Sequence, residues 1–180
     1  MNISEMIGSL HPAIVHLPIG MLTLYAVLEI LPLKRLESHA SYRYTKGIIV
    51  CAGVVGVMLA LQSGEAAAEM NRHDRAILEL HELMASTTIW FFGILAGIYA
   101  IAWLRDVEQM VRLEKFPLLK KVWDILSRVA NALDKPLLRR VLALFGFVAL
   151  SLTGILGGAL VYGPDADFLV SFVTKLLGLQ

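Results

Sequence analysis

The stretch VLALFGFVALSLTGILGGALVY, residues Val141–Tyr162, decides the fold because none of its 22 residues carries a charge. A helix needs about 20 mainly apolar residues to cross a bilayer. Three more runs of this kind lie at about His11–Leu33, Gly47–Ser63 and His81–Leu104. The sequence therefore predicts an all-α, integral membrane four-helix bundle that forms a single transmembrane domain over residues 1–180.

Composition supports a membrane protein and excludes several other classes. Hydrophobic residues make up 57% of the 180 residues, and charged residues make up 17%. A soluble domain of this size needs more polar surface. The net charge of +1 gives no reason to expect a nucleic-acid partner. Cys51 is the single cysteine, which excludes an intramolecular disulfide and a haem attached through a C-x-x-C-H motif.

The charges of the loops predict the direction of the spans. The loop at residues 34–46 has four basic residues and one acidic residue, and the loop at 105–140 has nine basic and five acidic residues. The loop at 64–80 has two basic and four acidic residues. Loops rich in Lys and Arg stay in the cytoplasm. We therefore expect both termini on the periplasmic side of a bacterial inner membrane.

The third loop contains a segment with helical periodicity at about residues 117–133. Its apolar residues, from Leu118 to Leu133, share one helical face, and Lys120, Lys121 and other polar residues share the opposite face. This pattern predicts an amphipathic helix on the cytoplasmic membrane surface. The alternative is a helix that packs on a partner subunit.

Small residues and one carboxylate stand out within the spans. GxxxG pairs and a small-residue ridge predict close packing of helix backbones. Glu29 lies well within the first span, and pairing with a base of the first loop, such as Arg35, is the simplest account of it. The small residues are Gly93 and Gly97, Gly154 and Gly158, and Ala52, Gly56 and Ala60.

Histidines provide the main functional signal. Four of the five, His11, His16, His73 and His81, map to the predicted periplasmic half. Neutral imidazole is a good axial ligand for haem iron, and it also binds copper, zinc or non-haem iron. Glu82 adjoins His81, but consecutive residues point about 100° apart on a helix and cannot easily share one metal. A quinone site is a third possibility.

We predict cofactor-binding roles for all four of these histidines, and metal ligation by His16, His81 and His11. The two axial ligands of the haem would be His16 with His81, or His11 with His81. Equal depth favours His11, while Pro18, which should kink the helix beside His16, favours His16. The cofactor would be one haem b, or two if His73 is also a ligand. No catalytic residue is predicted.

The segment Leu10–Gly20, LHPAIVHLPIG, resembles the opening signature of a bacterial membrane-protein family, domain of unknown function 2231. That signature has Leu-His-Pro and then His-Phe-Pro-Ile, with Leu17 here in place of the Phe. Leu78–Glu82 and Gly157–Gly163 are similar to two later segments of the family, so the resemblance covers nearly the whole chain.

The resemblance implies a four-span protein whose family histidines fall on His11, His16 and His81. Some relatives resemble domains fused to c-type cytochrome or Rieske iron–sulfur modules, which implies respiratory electron transfer. The first hypothesis is therefore a b-type haem protein that passes electrons between a periplasmic cytochrome or iron–sulfur protein and the quinone pool. The alternatives are a non-haem metal-binding or proton-handling protein, and a cofactor-free anchor or assembly subunit. The sequence favours an electron-transfer or anchor subunit over a catalytic subunit.

Overall fold

Helices account for the regular secondary structure of the described residues. The computed structural model describes residues 3–70, 74–111 and 116–179. Within these ranges there are seven helices and no strand, as expected for an all-α protein. The helices are α1 Ile3–Ile30, α2 Lys34–Glu37, α3 Ala40–Met70, α4 Arg75–Val111, α5 Pro117–Leu133, α6 Pro136–Tyr162 and α7 Phe168–Leu176.

Four of these helices are long and apolar enough to cross a bilayer. The spans cover Glu5–Ile30, Ser41–Ala68, Arg75–Arg105 and Pro136–Tyr162. The prediction of an all-α four-helix bundle is confirmed, and by length and composition the chain is a multi-pass membrane protein. The helices extend beyond the apolar runs into flanking segments that also contain polar residues.

The four long helices pack as two close pairs. Helix α1 lies along α3, and α4 lies along α6, while α3–α4 and α1–α6 contacts join the pairs less extensively. Within the α1/α3 pair the predicted ridge on α3 packs against α1, since a Cβ added at Gly56 would lie 3.0 Å from Pro18 Cβ. Small residues on α3 therefore allow the close approach of these two helices.

A single buried cluster joins all four helices, but it fills only part of their length. The cluster includes Tyr25, Phe92 and Tyr99, whose side chains are almost completely buried. It reaches Leu22, Val57, Phe92 and Leu150 in the direction of the histidines. We call the end of the bundle that contains His11 and His81 the histidine end, and the opposite end, which contains Glu29, the glutamate end.

Within the described residues, three of the four GxxxG glycines make no close packing contact, and the fourth, Gly158, is in ordinary contact with α7, since an added Cβ would lie 3.7 Å from Val170 Cγ2. A Cβ added at Gly93, Gly97 or Gly154 would have no other side chain or neighbouring helix within 4 Å. The close approaches occur instead at glycines without this spacing. A Cβ at Gly47 would meet the Trp103 ring and lie 2.9 Å from Tyr99 Cδ1. The GxxxG face of α4 is thus open, and that of α6 borders α7, neither of which the spacing in the sequence reveals.

This difference predicts unequal costs for two alanine substitutions. Gly47→Ala should destabilise the protein by about 1–3 kcal/mol, because the new methyl group must displace rigid aromatic rings. Gly97→Ala is the matched control and should be neutral or slightly stabilising. Unfolding of both variants in mixed micelles checks the prediction, which fails if the two glycines tolerate alanine equally.

Candidate functional site

His11 and His81 occupy the same level of the bundle on helices from different pairs. His11 lies eleven residues before Leu22 on α1, and His81 lies eleven residues before Phe92 on α4. At about 1.5 Å per residue, both lie about 16 Å beyond the end of the four-helix core. Both side chains are half-buried, and they lie close enough for a charge on His81 to act on His11.

The orientation of His11 is fixed by its partner helix α3. Its Nδ1 lies 2.9 Å from Oγ of Ser63, whose hydroxyl donates to the Ala60 carbonyl at 3.0 Å. Because that hydroxyl hydrogen is already used, the Ser63 oxygen accepts from a proton on His11 Nδ1. The ring also packs over Gly64, where an added Cβ would lie 3.1 Å from His11 Cε1.

The α4/α6 pair holds His81 in the same way. Nδ1 of His81 lies 2.9 Å from the carbonyl oxygen of Thr153 on α6. A carbonyl can only accept, so Nδ1 carries the proton and donates. The ring packs over Gly157, where an added Cβ would lie 3.3 Å from His81 Cε1.

The two imidazoles therefore share a tautomer. With the proton on Nδ1, the lone pair of each neutral ring lies on Nε2. Histidines that bind a metal usually donate their other ring nitrogen to a carbonyl, carboxylate or water, and this bond fixes the tautomer and the ring orientation. Each helix pair thus holds one imidazole that carries its proton on Nδ1.

The buried cluster that joins all four helices stops short of this end. Among the described residues, the buried cluster shared by all four helices ends at Leu22 and Phe92, and the second buried cluster contains residues of α4, α6 and α7 alone. Its members include Ile77, Leu156 and Val170. Smaller buried side chains continue from the four-helix cluster toward this end, among them Ala60, Ser63, Ala85 and Thr88.

The structure does not bring His16 together with His81. His16 is exposed, and its Nδ1 donates to the Pro12 carbonyl of its own helix. Five residues correspond to about 140° of rotation on a helix, so His16 points outward when His11 points inward. His73 lies outside the described residues.

Further metal ligands do not gather around the imidazoles in the described part of the chain. Across residues 3–70, 74–111 and 116–179, no group of three or more His, Cys, Asp and Glu side chains could hold a metal ion. Glu82 is exposed on α4. The donor set described here is therefore a pair of imidazoles.

The glutamate end contains a buried ionic cluster that sequence reasoning anticipated only in part. Glu29 is 2% exposed and accepts from Lys46 at 2.6 Å, from Arg139 at 2.9 Å and from the Tyr99 hydroxyl at 3.2 Å. Lys46 belongs to the first loop as predicted, but Arg35 is not among these partners. Each of the four long helices contributes one member, so the cluster connects the two pairs.

Asp134 extends this cluster at the end of α5. It accepts from Arg43 at 2.7 Å and from Arg139. Burial acts to raise the pKa of Asp134, but the hydrogen bond from Arg43 and the charges of Arg43 and Arg139 outweigh burial and hold this pKa below its ordinary value. Asp134 is therefore ionised at neutral pH.

A groove of about 410 Å³ lies between α6 and α7 at the histidine end. Gly154 and Gly158 form part of its floor, and Ser151, Tyr162 and Asp167 supply polar groups along it. Gly154 and Gly158 directly follow Thr153 and Gly157, which contact His81 on another side of α6. The groove and His81 are thus separated by the thickness of one helix.

Comparisons of the chain with protein-family models, with curated proteins and with solved structures found no match. The resemblance to domain of unknown function 2231 therefore stays a prediction from the motifs.

Proposed function

We propose that the protein binds one b-type haem between its two helix pairs and passes electrons between a periplasmic redox protein and the quinone pool. His11 and His81 would be the axial ligands. The observation that carries this proposal is the matched pair of imidazoles, each fixed through Nδ1 by its own helix pair. A second haem would require His73 as a further ligand.

The number of donors favours haem over a zinc or copper site. Protein sites for zinc usually use three or four side-chain ligands. Haem needs only axial ligands from the protein, because the porphyrin supplies the other four nitrogen atoms. Two imidazoles on α1 and α4, which lie diagonally across the bundle, match that requirement. The chain's own contribution would be to hold both rings in one tautomer and to keep the cofactor between apolar helices.

Loop charges support an orientation in the bacterial inner membrane. The glutamate end is continuous with the two basic loops, which belong in the cytoplasm. The histidine end and both termini would then be periplasmic. A haem at that level would be accessible to a periplasmic cytochrome or iron–sulfur protein, and the chain would act with other membrane subunits in a respiratory complex.

The groove beside α7 is the place where we expect a quinone. It lies across α6 from His81, so one helix, about 10 Å across with its side chains, separates the two. Gly154 and Gly158 leave space for a flat ring or an isoprenoid tail. Tyr162 and Asp167 lie near the end of the groove where the headgroup would meet water.

The test is a reduced-minus-oxidised absorption spectrum of the purified, detergent-solubilised protein. We expect a Soret band, the α and β bands of low-spin b-type haem, and about one extractable haem per chain. Absence of a Soret band after expression with ample haem would sink the proposal. Bound copper or zinc without iron would instead favour the metal-binding alternative, and a cofactor-free protein that still assembles with partners would favour the anchor.

Ser63 provides a test of the axial pair that does not depend on electron-transfer activity. Ser63→Ala removes the side-chain acceptor of the His11 Nδ1 proton and leaves only the Ala60 carbonyl beside the ring, so we expect haem affinity to fall by about 10-fold and the reduction potential to shift. Thr153→Val is the matched control, because His81 donates to the backbone carbonyl of Thr153, and this carbonyl remains. Equal effects of the two substitutions in haem titrations would contradict the assigned tautomers.

A further inference from the structure

Helix α5 carries an apolar stripe of side chains that the other described parts of the chain leave exposed. Each side chain of the stripe is at least 46% exposed. Their positions repeat with helical spacing, so they form one continuous face. The stripe consists of Leu118, Leu119, Val122, Ile125, Leu126 and Val129.

A different side of α5 holds the helix against the bundle. Ala130 is buried, and Arg105 of α4 donates to Oδ1 of Asn131 at 2.6 Å and to the carbonyl of Ser127 at 3.3 Å. At the end of the helix, Asp134 pairs with Arg43 and Arg139. Polar contacts thus fix how α5 is rotated, and this rotation leaves the apolar stripe uncovered.

These contacts also fix the level of α5 relative to the bilayer. Arg105 is the first charged residue after the apolar run of α4 that ends at Leu104, and Asp134 lies two residues before Pro136, where α6 begins. Both attachment points therefore lie where a span leaves the hydrocarbon region. A helix held there meets the boundary between acyl chains and headgroups.

The charges beside the stripe suit an anionic surface. Lys121 and Arg128 are seven residues apart, so they lie on the same side of α5, next to Ile125 at the border of the stripe. Both residues are exposed. Long basic side chains at such a border can extend to headgroups while their stems cover apolar surface. From Pro117 to Lys135 the chain has four basic and two acidic residues.

We propose that α5 lies in the cytoplasmic membrane surface, with its stripe among the acyl chains and with Lys121 and Arg128 bound to anionic phospholipid headgroups. Apolar burial and basic residues at the polar border are the two features by which interfacial helices bind anionic membranes. This surface is independent of the haem, since it lies at the opposite end of the bundle from His11 and His81.

The depth of α5 can be measured in the whole protein. Single nitroxide labels at Ile125 and at Arg128, in a Cys51→Ala background, are compared in nanodiscs of phosphatidylcholine with phosphatidylglycerol. We expect the label at 125 to be relaxed mainly by oxygen and the label at 128 mainly by a water-soluble nickel chelate. If nickel reaches both positions equally, the stripe faces water and the proposal fails. If neither reagent reaches 125, a second copy or another subunit covers the stripe, and the proposal also fails.

A charge substitution tests the headgroup part of the proposal separately. Lys121→Gln/Arg128→Gln should lower the preference for phosphatidylglycerol over phosphatidylcholine by about fivefold for each cation removed, since each is worth about 1 kcal/mol near an anionic surface. Arg75→Gln is the matched control, because Arg75 is an exposed cation at the histidine end. Native mass spectrometry of retained lipid reports the preference. An unchanged preference in the double variant would overturn the assignment of these two residues.

Discussion

On the proposed haem site, we expect His81→Ala to abolish haem binding almost completely while the four-helix bundle stays folded. The imidazole would supply one of two axial bonds, and alanine leaves that position without a donor. The loss should exceed the roughly 10–100-fold cost of removing only an outer hydrogen-bond partner of a ligand. The ratio of Soret absorbance to protein in the purified variant measures the effect.

The same experiment on the other histidines discriminates between the two axial pairs considered. His11→Ala should lose haem as His81→Ala does, because His11 is half-buried at the level of His81 and is held by Ser63. His16→Ala should retain its haem, because His16 is exposed on the outer side of α1. Loss of haem from the His16 variant but not from the His11 variant would exclude the His11–His81 pair.

Glu29→Ala should be the most destabilising single substitution at the glutamate end, by about 3–5 kcal/mol. The carboxylate is 2% exposed and offsets two buried cations, Lys46 and Arg139, from two other helices. Without this carboxylate, Lys46 and Arg139 stay in the interior and lose the negative charge that Glu29 places beside them. The unfolding free energy in mixed micelles of anionic and neutral detergent measures the cost.

Glu37→Gln is a suitable comparison for this prediction. Glu37 pairs with Arg140 at 2.9 Å, but both side chains are about one-third exposed. Pairs of this kind are worth at most about 1 kcal/mol, because water and salt screen the charges. If the Glu29 and Glu37 variants were equally stable, the buried cluster would not connect the helix pairs as described.

Hydropathy and charge predicted much of the fold because a bilayer restricts the possible structures. Backbone groups in hydrocarbon must be bonded within the segment, so long apolar runs become helices. The equal level of His11 and His81 also followed from counting residues along two spans of the same direction. The helix pairs did not follow from the sequence, because the GxxxG spacing at Gly93 and Gly154 suggests packing faces that the chain leaves open.

The choice between His11 and His16 depends on helix rotation, which sequence pattern determined poorly here. Helix α1 is apolar on nearly every side, so hydrophobicity did not indicate which face points inward. Pro18 drew attention to His16, yet Pro18 itself is buried against Gly56 of α3. The signal that would have favoured His11 is its spacing of eleven and eighteen residues from Leu22 and Glu29, about three and five turns on one face.

The partners of Glu29 illustrate a second limit. Lys46 and Arg139 lie 17 and 110 residues away along the chain, and both were counted only as loop charges that set direction. Distances in sequence do not reveal which loop base turns inward. Only the arrangement of all four helices brings these two cations to one carboxylate.

The two helix pairs are joined through Glu29 at one end of the bundle, and at the other end each pair orients its own imidazole. On the proposed function, a cofactor placed between the pairs would therefore require no change of contacts within either pair. We expect the empty protein to be folded already and to take up the cofactor after insertion into the membrane.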